Sequence, residues 1–396
     1  MKRIYALLPV LLLASCSTSN FYQGRFKSSI SIVASADEEI VINATIDKYN
    51  SNGEDIIDCS TSSKKDFSAV QNDISSFSIY SSSVLSKKEY KIDEAEPLSQ
   101  EYLKRIKDNT VNSVNYDEDN IFPASIIPEL ILYYDDRYLN DQDITSIESI
   151  ISKADKLDKK FNLNISNSVV TCAFLLAKEN SLSFTYDNDG KAIYETSLDD
   201  KESVSIVSYL SNLFNTNNDT CFDFINDVFE TSSDGETIAF IGSTAYYSDL
   251  KKVHPHFKAA KLPSFIVSNK TYNMKSLSYT YGFYVNKNKT LEEKESAMAL
   301  ASLLIDEESQ LTRYEKTGLI PVNKSALKND RFTSKASDLD FAIQELVEHS
   351  NFIDEKCIGE RGYEVIRNIG VHIRDNDVSD WSSFLKTQMD ILRGRN

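Results

Sequence analysis

The side chain with the clearest potential for chemistry near the start of the chain is Cys16. It follows Leu13-Ala14-Ser15 at the end of a short apolar run that begins at Ile4. The thiolate of a cysteine is a nucleophile that can be modified covalently. The run lies behind Lys2 and Arg3, and a basic start, a short apolar core and small residues before a cleavage point are typical of a secretory signal. The run is well short of the ~20 apolar residues that a membrane-spanning helix needs.

The Leu-Ala-Ser-Cys sequence is similar to a lipobox, and the N-terminal region resembles a bacterial lipoprotein precursor. The resemblance implies that residues 1–15 are a lipoprotein signal peptide and that Cys16 is lipidated after cleavage. The protein would then be anchored by lipid to the cell membrane, on its extracytoplasmic face. The alternatives are a plain secretory signal with an incidental Cys16, or an ordinary N-terminal helix. Residues 16–28 are rich in polar side chains and have no apolar period, which predicts a flexible tether.

The sequence gives little support for a catalytic or a metal-binding motif. The sequence contains no HExxH, GxSxG or Walker A pattern, which are the arrangements expected of zinc proteases, serine hydrolases and P-loop nucleotide-binding proteins. A secreted glycosidase would need two carboxylates on either side of a bond, and an abundance of acidic residues does not establish such a pair. His254 and His256 could bind a metal, but a third ligand is missing. We therefore expect no enzymatic activity, no cofactor and no metal site.

Composition limits the possible partners. The 396 residues are enough for two or three domains, or for one domain with two lobes. The net charge of −17 repels phosphate backbones, so a nucleic acid partner is not expected. Besides Cys16 there are four cysteines: Cys59, Cys172, Cys221 and Cys357. They could form two disulfides in any of three pairings. The sequence does not select among these, and free, buried thiols are our expectation.

Short apolar strands alternate with amphipathic helices along the chain. Ser29–Val33 is predicted to be a strand, and the helix that opens at Asp37 is predicted to bury Ile40. Leu130–Tyr134 and Tyr281–Val285 are further compact apolar strands. Strands interleaved with helices indicate an α/β protein rather than a helical bundle or a β-sandwich.

Local sequence in the last third of the chain is more specific. Tyr281–Lys287, the helix with Glu308–Gln310, and Thr317–Ala326 are similar to the C-terminal part of extracellular solute-binding proteins, the maltose-binding-like receptors of ABC importers. Earlier segments follow in the order of that family. Ile131–Leu139 resembles its hinge strand, and Asp234–Gly242 resembles the segment before a ligand-facing loop. The resemblance extends over nearly all of the chain from Ile30 to Leu392.

This resemblance implies a two-lobed α/β fold of the periplasmic-binding-protein type, with a hinge and a cleft between the lobes. Residues 29–130 and 278–318 would form the N-terminal lobe, and residues 131–277 and 319–396 the C-terminal lobe. The implied function is that of a substrate-binding lipoprotein of an ABC importer. It would capture a small solute, by expectation a carbohydrate, and deliver it to the permease subunits as a monomer. Two alternatives remain open, a surface adhesin that reuses the fold and a secreted glycan-active enzyme.

The resemblance also nominates residues for the cleft. Many members of the family have a tryptophan two residues after the glycine that corresponds to Gly242, whereas this chain has Tyr246 nearby. A tyrosine ring can still stack and form hydrogen bonds. Tyr246 and Tyr363 are the leading aromatic candidates. The full set of candidate ligand contacts is Ser35, Asp37, Ser81, Phe122, Ser243, Tyr246, Tyr281, Arg361 and Tyr363.

Overall fold

The computed structural model describes residues 21–52, 56–63, 76–82, 95–111, 120–178, 181–186, 192–217, 220–222, 235–349, 352–354 and 358–395. The predicted signal peptide, Cys16 and Cys357 lie outside these ranges, and of Cys221 only the backbone is described. Within them, no helix combines the length and the apolar character needed to cross a bilayer.

The secondary structure alternates between strands and helices, as predicted. The strands are β1 (Ile30–Ala34), β2 (Cys59–Ser63), β3 (Ile79–Ser81), β4 (Phe122–Pro128), β5 (Leu130–Asp135), β6 (Lys160–Asn162), β7 (Leu182–Tyr186), β8 (Ala192–Thr196), β9 (Cys221–Phe222), β10 (Thr237–Ser243), β11 (Phe257–Ala260), β12 (Ser264–Val267), β13 (Lys270–Asn273), β14 (Ser276–Val285) and β15 (Phe352–Asp354). The helices are α1 (Ala36–Asn52), α2 (Gln100–Asn109), α3 (Ile147–Lys156), α4 (Ser168–Leu175), α5 (Lys201–Thr216), α6 (Tyr247–Val253), α7 (Leu291–Leu303), α8 (Glu307–Thr317), α9 (Asp330–Thr333), α10 (Asp338–Glu348), α11 (Gly359–Asp375) and α12 (Trp381–Leu392).

Two sheets organise the chain into two lobes. In the first lobe the strand order is β15-β14-β3-β1-β2, and β4 also pairs with β14. In the second lobe the order is β11-β5-β10-β6-β9. β1 is parallel to β2 and β3, and β6 is parallel to β10 and β9. Each sheet has its own hydrophobic core, so the mixed α/β class and two lobes predicted from sequence describe this structure.

The chain passes between the lobes at Glu129. β4 pairs with the middle of β14 on one side of this residue, and β5 enters the second sheet on the other. The backbone N–H of Glu129 donates to the Leu277 carbonyl at 2.8 Å, and that of Leu130 donates to Ser276 Oγ at 2.9 Å. β14 belongs to both lobes, because Leu277 packs in the second core and Phe283 in the first.

Helix α10 packs against both lobes. Ala342 and Leu346 contact a small apolar cluster on the second sheet, whereas Ile343 and Val347 belong to the core of the first lobe. Its first turn is also held on both sides. The Tyr247 hydroxyl donates to Asp338 at 2.6 Å, and the Tyr314 hydroxyl donates to Asp340 at 2.9 Å.

The segment after α8 packs in the first lobe, although the sequence analysis placed the boundary to the second lobe at Leu319. Ile320, Val322 and Phe332 lie in the core of the first lobe, and Ser125 Oγ donates to the Ile320 carbonyl at 2.7 Å. These apolar side chains complete the first core before the chain reaches α10, which is why the chain does not leave this lobe at Leu319.

The prediction of a flexible tether over residues 16–28 is wrong for the described residues 21–28. Tyr22 is buried to 1% exposure, and its hydroxyl donates to Asp306 at 2.7 Å. The backbone N–H groups of Lys27 and Ser28 donate to Ser296 Oγ. Polar composition suggested a tether, but a few aromatic side chains are sufficient to pack this segment against the first lobe.

Helix α1 forms where expected, but with a different buried face. Ile40 is 55% exposed, whereas Ile42 and Ile46 are buried. Several apolar residues lie close together in this helix, and packing against the sheet and α8 determines which of them are buried. A charged residue is buried as well, since Glu38 is only 2% exposed.

Two thiols can be followed in the structure. The Cys59 thiol is free, and Cys172 is buried. Burial, with the charge of Asp58 as a second cause, raises the pKa of the Cys59 thiol to about 12. The Cys59 thiol is therefore poorly reactive at neutral pH, because the thiolate is the reactive form.

A buried ion pair joins α1 to α8. Arg313 has no exposed surface, and its Nε lies 3.2 Å from both carboxylate oxygens of Glu38. Arg313 Nη1 donates to the Leu304 carbonyl at 3.2 Å, and the guanidinium lies 5.3 Å from the Phe283 ring centroid. Removing one partner of such a pair leaves an uncompensated buried charge.

We expect Glu38→Gln to lower the free energy of unfolding by about 3–5 kcal/mol, because it leaves the Arg313 charge buried without a counterion. Asp37→Asn is the matched control, since it removes an exposed carboxylate from the same helical turn and has the same effect on the helix dipole. Chemical denaturation of both variants measures the difference. Equal stability of the two variants would contradict a stabilising role for the pair.

Candidate ligand-binding site

A small concavity, open to solvent, lies at the carboxyl ends of β6 and β10 in the second lobe. It is next to the crossing between the lobes, since Glu129 and Leu130 are part of its lining. The polar lining residues are Glu129, Asn162, Asn164, Asn167, Ser243 and Tyr246. In α/β proteins, ligands commonly bind at the carboxyl ends of strands.

The three asparagines come from one short stretch of sequence. Asn162 and Asn164 alternate with Leu163 and Ile165, which are buried in the second core. Successive side chains of an extended segment point in opposite directions, so burying the aliphatic residues turns the two amides toward the concavity. Asn167 follows as the N-cap of α4, and its Oδ1 accepts the Val169 N–H at 2.9 Å.

The loop after β10 supplies the opposite wall and is fastened to the crossing. The Thr244 N–H donates to the Glu129 carbonyl at 3.1 Å, and Thr244 Oγ1 donates to the Pro128 carbonyl at 2.9 Å. Gly242 fits closely here, because a Cβ would lie 3.1 Å from Tyr246 Cδ2 and 3.0 Å from Phe240 Cε2, and the two rings would have to shift by a few tenths of an ångström. The missing side chain makes room for the Tyr246 ring beside the concavity.

The chemistry of this lining suits an uncharged polar molecule. The described lining residues include one carboxylate, three amides, a hydroxyl and a phenol, but no basic side chain. Amides donate and accept hydrogen bonds, and an ionised carboxylate accepts them. Val169 and the Tyr246 ring add apolar surface. Among the residues described, no three histidine, cysteine or acidic side chains form a group that could hold a metal ion.

Two of the residues nominated from sequence line this concavity, Ser243 and Tyr246. Ser35 and Asp37 lie elsewhere, between β1 and the first turn of α1. Ser35 Oγ accepts the Glu38 N–H at 3.4 Å, and Asp37 is exposed. These two residues are at the carboxyl end of a strand of the first lobe, and their contact with a ligand stays a prediction.

Three other nominated residues are buried in the first lobe. Ser81 Oγ donates to the Tyr281 hydroxyl at 3.0 Å. Burial, followed by the charge of Glu38, raises the pKa of Tyr281 well above its ordinary value, so its hydroxyl stays protonated. Phe122 has no exposed surface and meets the Tyr102 ring edge to face. In this conformation these three side chains contribute to the packing of the first lobe.

Arg361 and Tyr363 lie on α11, in the second lobe. Arg361 Nη1 donates to the Leu392 carbonyl at the end of α12, at 3.3 Å. Tyr363 is partly buried against the core of the second lobe. Neither residue is part of the described lining of the concavity.

Sequence reasoning missed Glu129 and the three asparagines. A signal for the asparagines was present, because amides and aliphatic residues alternate from Asn162, the last residue of β6, to Ile165. Glu129 carries no comparable local signal. Its place in the site depends on the chain crossing between lobes at this residue.

Comparison with known proteins assigns the protein to a class. Residues 68–337 match the family described as bacterial extracellular solute-binding protein. The fold is similar to that of a maltodextrin-binding protein, MalE1 from L. casei BL23, with a TM-score of 0.72 at 15% identity over 93% of this chain and 98% of that one. The maltose-binding protein MalE from Listeria monocytogenes, in complex with maltose, gives 0.64 at 15% identity over 92% and 97%.

A cyclo/maltodextrin-binding protein complexed with maltotetraose gives a TM-score of 0.69 at 13% identity, over 93% of this chain and 97% of that one. The comparison with curated protein sequences gives no match. The chain belongs to the bacterial extracellular solute-binding proteins. The family and the two-lobed fold predicted from the sequence are thereby confirmed.

Replacing Tyr246 by alanine should weaken solute binding by about 1–3 kcal/mol, because a ring at the edge of the concavity is lost. Calorimetric titration with a solute that stabilises the protein measures this change. Tyr363→Ala is the matched comparison. It should lower the melting temperature, since Tyr363 packs on the second core, and leave the affinity nearly unchanged. Weaker binding in Tyr363→Ala with unchanged affinity in Tyr246→Ala would instead place the aromatic wall on α11.

Proposed function

We propose that this protein is the substrate-binding subunit of an ABC importer and that it captures a carbohydrate in the cleft between its lobes. The observation that supports this proposal most directly is the concavity at the crossing, where Glu129, three asparagines and Tyr246 come together. Sugar hydroxyls need both donors and acceptors, and the apolar face of a sugar ring stacks on an aromatic side chain. The solved structures with a similar fold include complexes with maltose and maltotetraose.

Binding would change the balance between open and closed forms. A solute held by the second lobe acquires additional contacts when the first lobe closes over it, and it shifts the equilibrium only by its greater affinity for the closed form. Glu129 suits this role, because its side chain lines the concavity while its backbone is part of the crossing. Nothing in this mechanism requires conversion of the solute.

The cellular setting follows from the N-terminal sequence. Lipidation at Cys16 would anchor the protein to the outer face of the cell membrane, beside the permease subunits to which it delivers solute. The family is extracellular, which agrees with export by a signal peptide. We expect the protein to act as a monomer, with one solute for each cleft.

A carbohydrate should raise the melting temperature of the purified full-length protein in detergent. A ligand that binds only the folded state stabilises it by about 2.7 kcal/mol at a concentration of 100 times Kd. The screen begins with maltose and longer maltodextrins and continues with other sugars, polyols and oligopeptides. Chromatography of the recovered ligand tests for turnover. Stabilisation by oligopeptides alone would contradict the carbohydrate proposal, and a converted ligand would identify an enzyme.

Replacing Cys16 by serine should remove the membrane anchor. In cells that express the protein, the wild type should partition into the detergent phase and the Cys16→Ser protein into the aqueous phase. Cys59→Ser is the matched control, because it changes a cysteine within the folded first lobe. A Cys16→Ser protein that stays in the detergent phase would contradict lipidation at this residue.

A further inference from the structure

The segment Phe21–Ser28, here called the N-terminal clamp, is fastened to the first lobe by a polar cluster. Tyr22 is 1% exposed, and its hydroxyl donates to Asp306 at 2.7 Å. Arg105 Nη2 donates to the Tyr22 hydroxyl at 2.9 Å and to the Asp306 carboxylate at 2.7 Å. Buried charge-assisted hydrogen bonds of this kind are short and strong.

Aromatic and cationic contacts add to this cluster. The guanidinium groups of Arg25 and Arg105 lie 4.3 Å and 4.4 Å from the centroid of the Phe21 ring. Arg25 also donates to Glu101 on α2 at 2.7 Å. Cation–π contacts of this geometry favour one position of the ring. The clamp therefore contacts the first lobe from its first described residue.

The backbone of the clamp is held as well. Ser296 Oγ accepts the N–H groups of Lys27 and Ser28 at 3.0 and 3.2 Å, and it donates to the Arg25 carbonyl at 3.1 Å. A single hydroxyl of α7 thus binds three backbone groups of the clamp. These contacts are on the first lobe, so the chain joins the body of the protein there.

Covalent geometry then limits the distance to the lipid. Only residues 17–20 separate Cys16 from Phe21. An extended chain spans at most ~3.3–3.6 Å per residue, so Phe21 can be no more than about 18 Å from Cys16. We propose that the N-terminal clamp holds the first lobe against the lipid headgroups. This inference rests on the proposed lipidation of Cys16.

Limited trypsin digestion of the full-length protein in detergent tests the clamp without any membrane. Cleavage after Arg25 or Lys27 requires the clamp to detach. We expect Tyr22→Ala to be cleaved there at least about tenfold faster than the wild type, with Tyr22→Phe intermediate because it keeps the ring and loses the hydroxyl. Tyr138→Ala, in the second lobe, is the control. Equal cleavage of the wild type and Tyr22→Ala would overturn the clamp, whether or not Cys16 is lipidated.

Energy transfer tests the distance to the membrane. Phe26→Trp in a Trp381→Phe background places a single tryptophan donor within the clamp. The lipidated protein is reconstituted in phosphatidylcholine vesicles that contain a dansyl-labelled lipid as acceptor. Transfer should be strong, and a ten-residue Gly-Ser insertion between Asn20 and Phe21 should reduce it severalfold.

Equal transfer with and without the insertion would overturn the membrane contact while leaving the clamp in place. Failure of the wild type to associate with vesicles would instead contradict the lipid anchor on which the proposed function depends. Slow trypsin cleavage in detergent would still support the clamp in that case. The two failures are therefore distinguishable.

Discussion

The pairing of β4 and β14 at the lobe boundary is the constraint on which the rest of this structure depends. Hydrogen bonds from Glu129 and Leu130 to Leu277 and Ser276 hold two of the chain crossings side by side. Gly282 allows the close approach, because a Cβ there would lie 2.3 Å from the Phe122 carbonyl. Each lobe has a separate core, so the relative position of the lobes depends on this narrow connection and on helix α10.

The candidate site is built from the same connection. The loop that carries Tyr246 is hydrogen bonded through Thr244 to the backbone of Pro128 and Glu129. A rotation of the lobes about the crossing would therefore displace the loop that forms the wall of the concavity. Next to it, Tyr247 is bonded to Asp338 at the start of α10. Burial and this hydrogen bond raise the pKa of Tyr247 to about 12, so the contact persists across the physiological pH range.

Charge is used differently on the surface and in the interior. The excess of acidic residues is compatible with a solvated protein outside the cytoplasm. Inside the first lobe, however, Glu38 with Arg313 and Asp306 with Arg105 are paired and largely removed from solvent. Both pairs join elements that are distant in sequence. Both pairs include a residue of α8 or its N-cap, because Arg313 lies on α8 and Asp306 is the N-cap to which the Tyr22 hydroxyl of the N-terminal clamp also donates.

The sequence by itself determined the fold class and many of the elements, because apolar periodicity acts over short distances, and the resemblance of local motifs indicated the family. The strand that begins at Leu130 is an example. Tertiary structure decided which faces are buried and which side chains meet. Ile40 is exposed, the Glu293 carboxylate accepts a hydrogen bond from Ser78, and Tyr22 is buried. The concavity unites Glu129, Asn162–Asn167 and Tyr246, which are brought together only by long-range strand pairing, and no local pattern encodes that pairing.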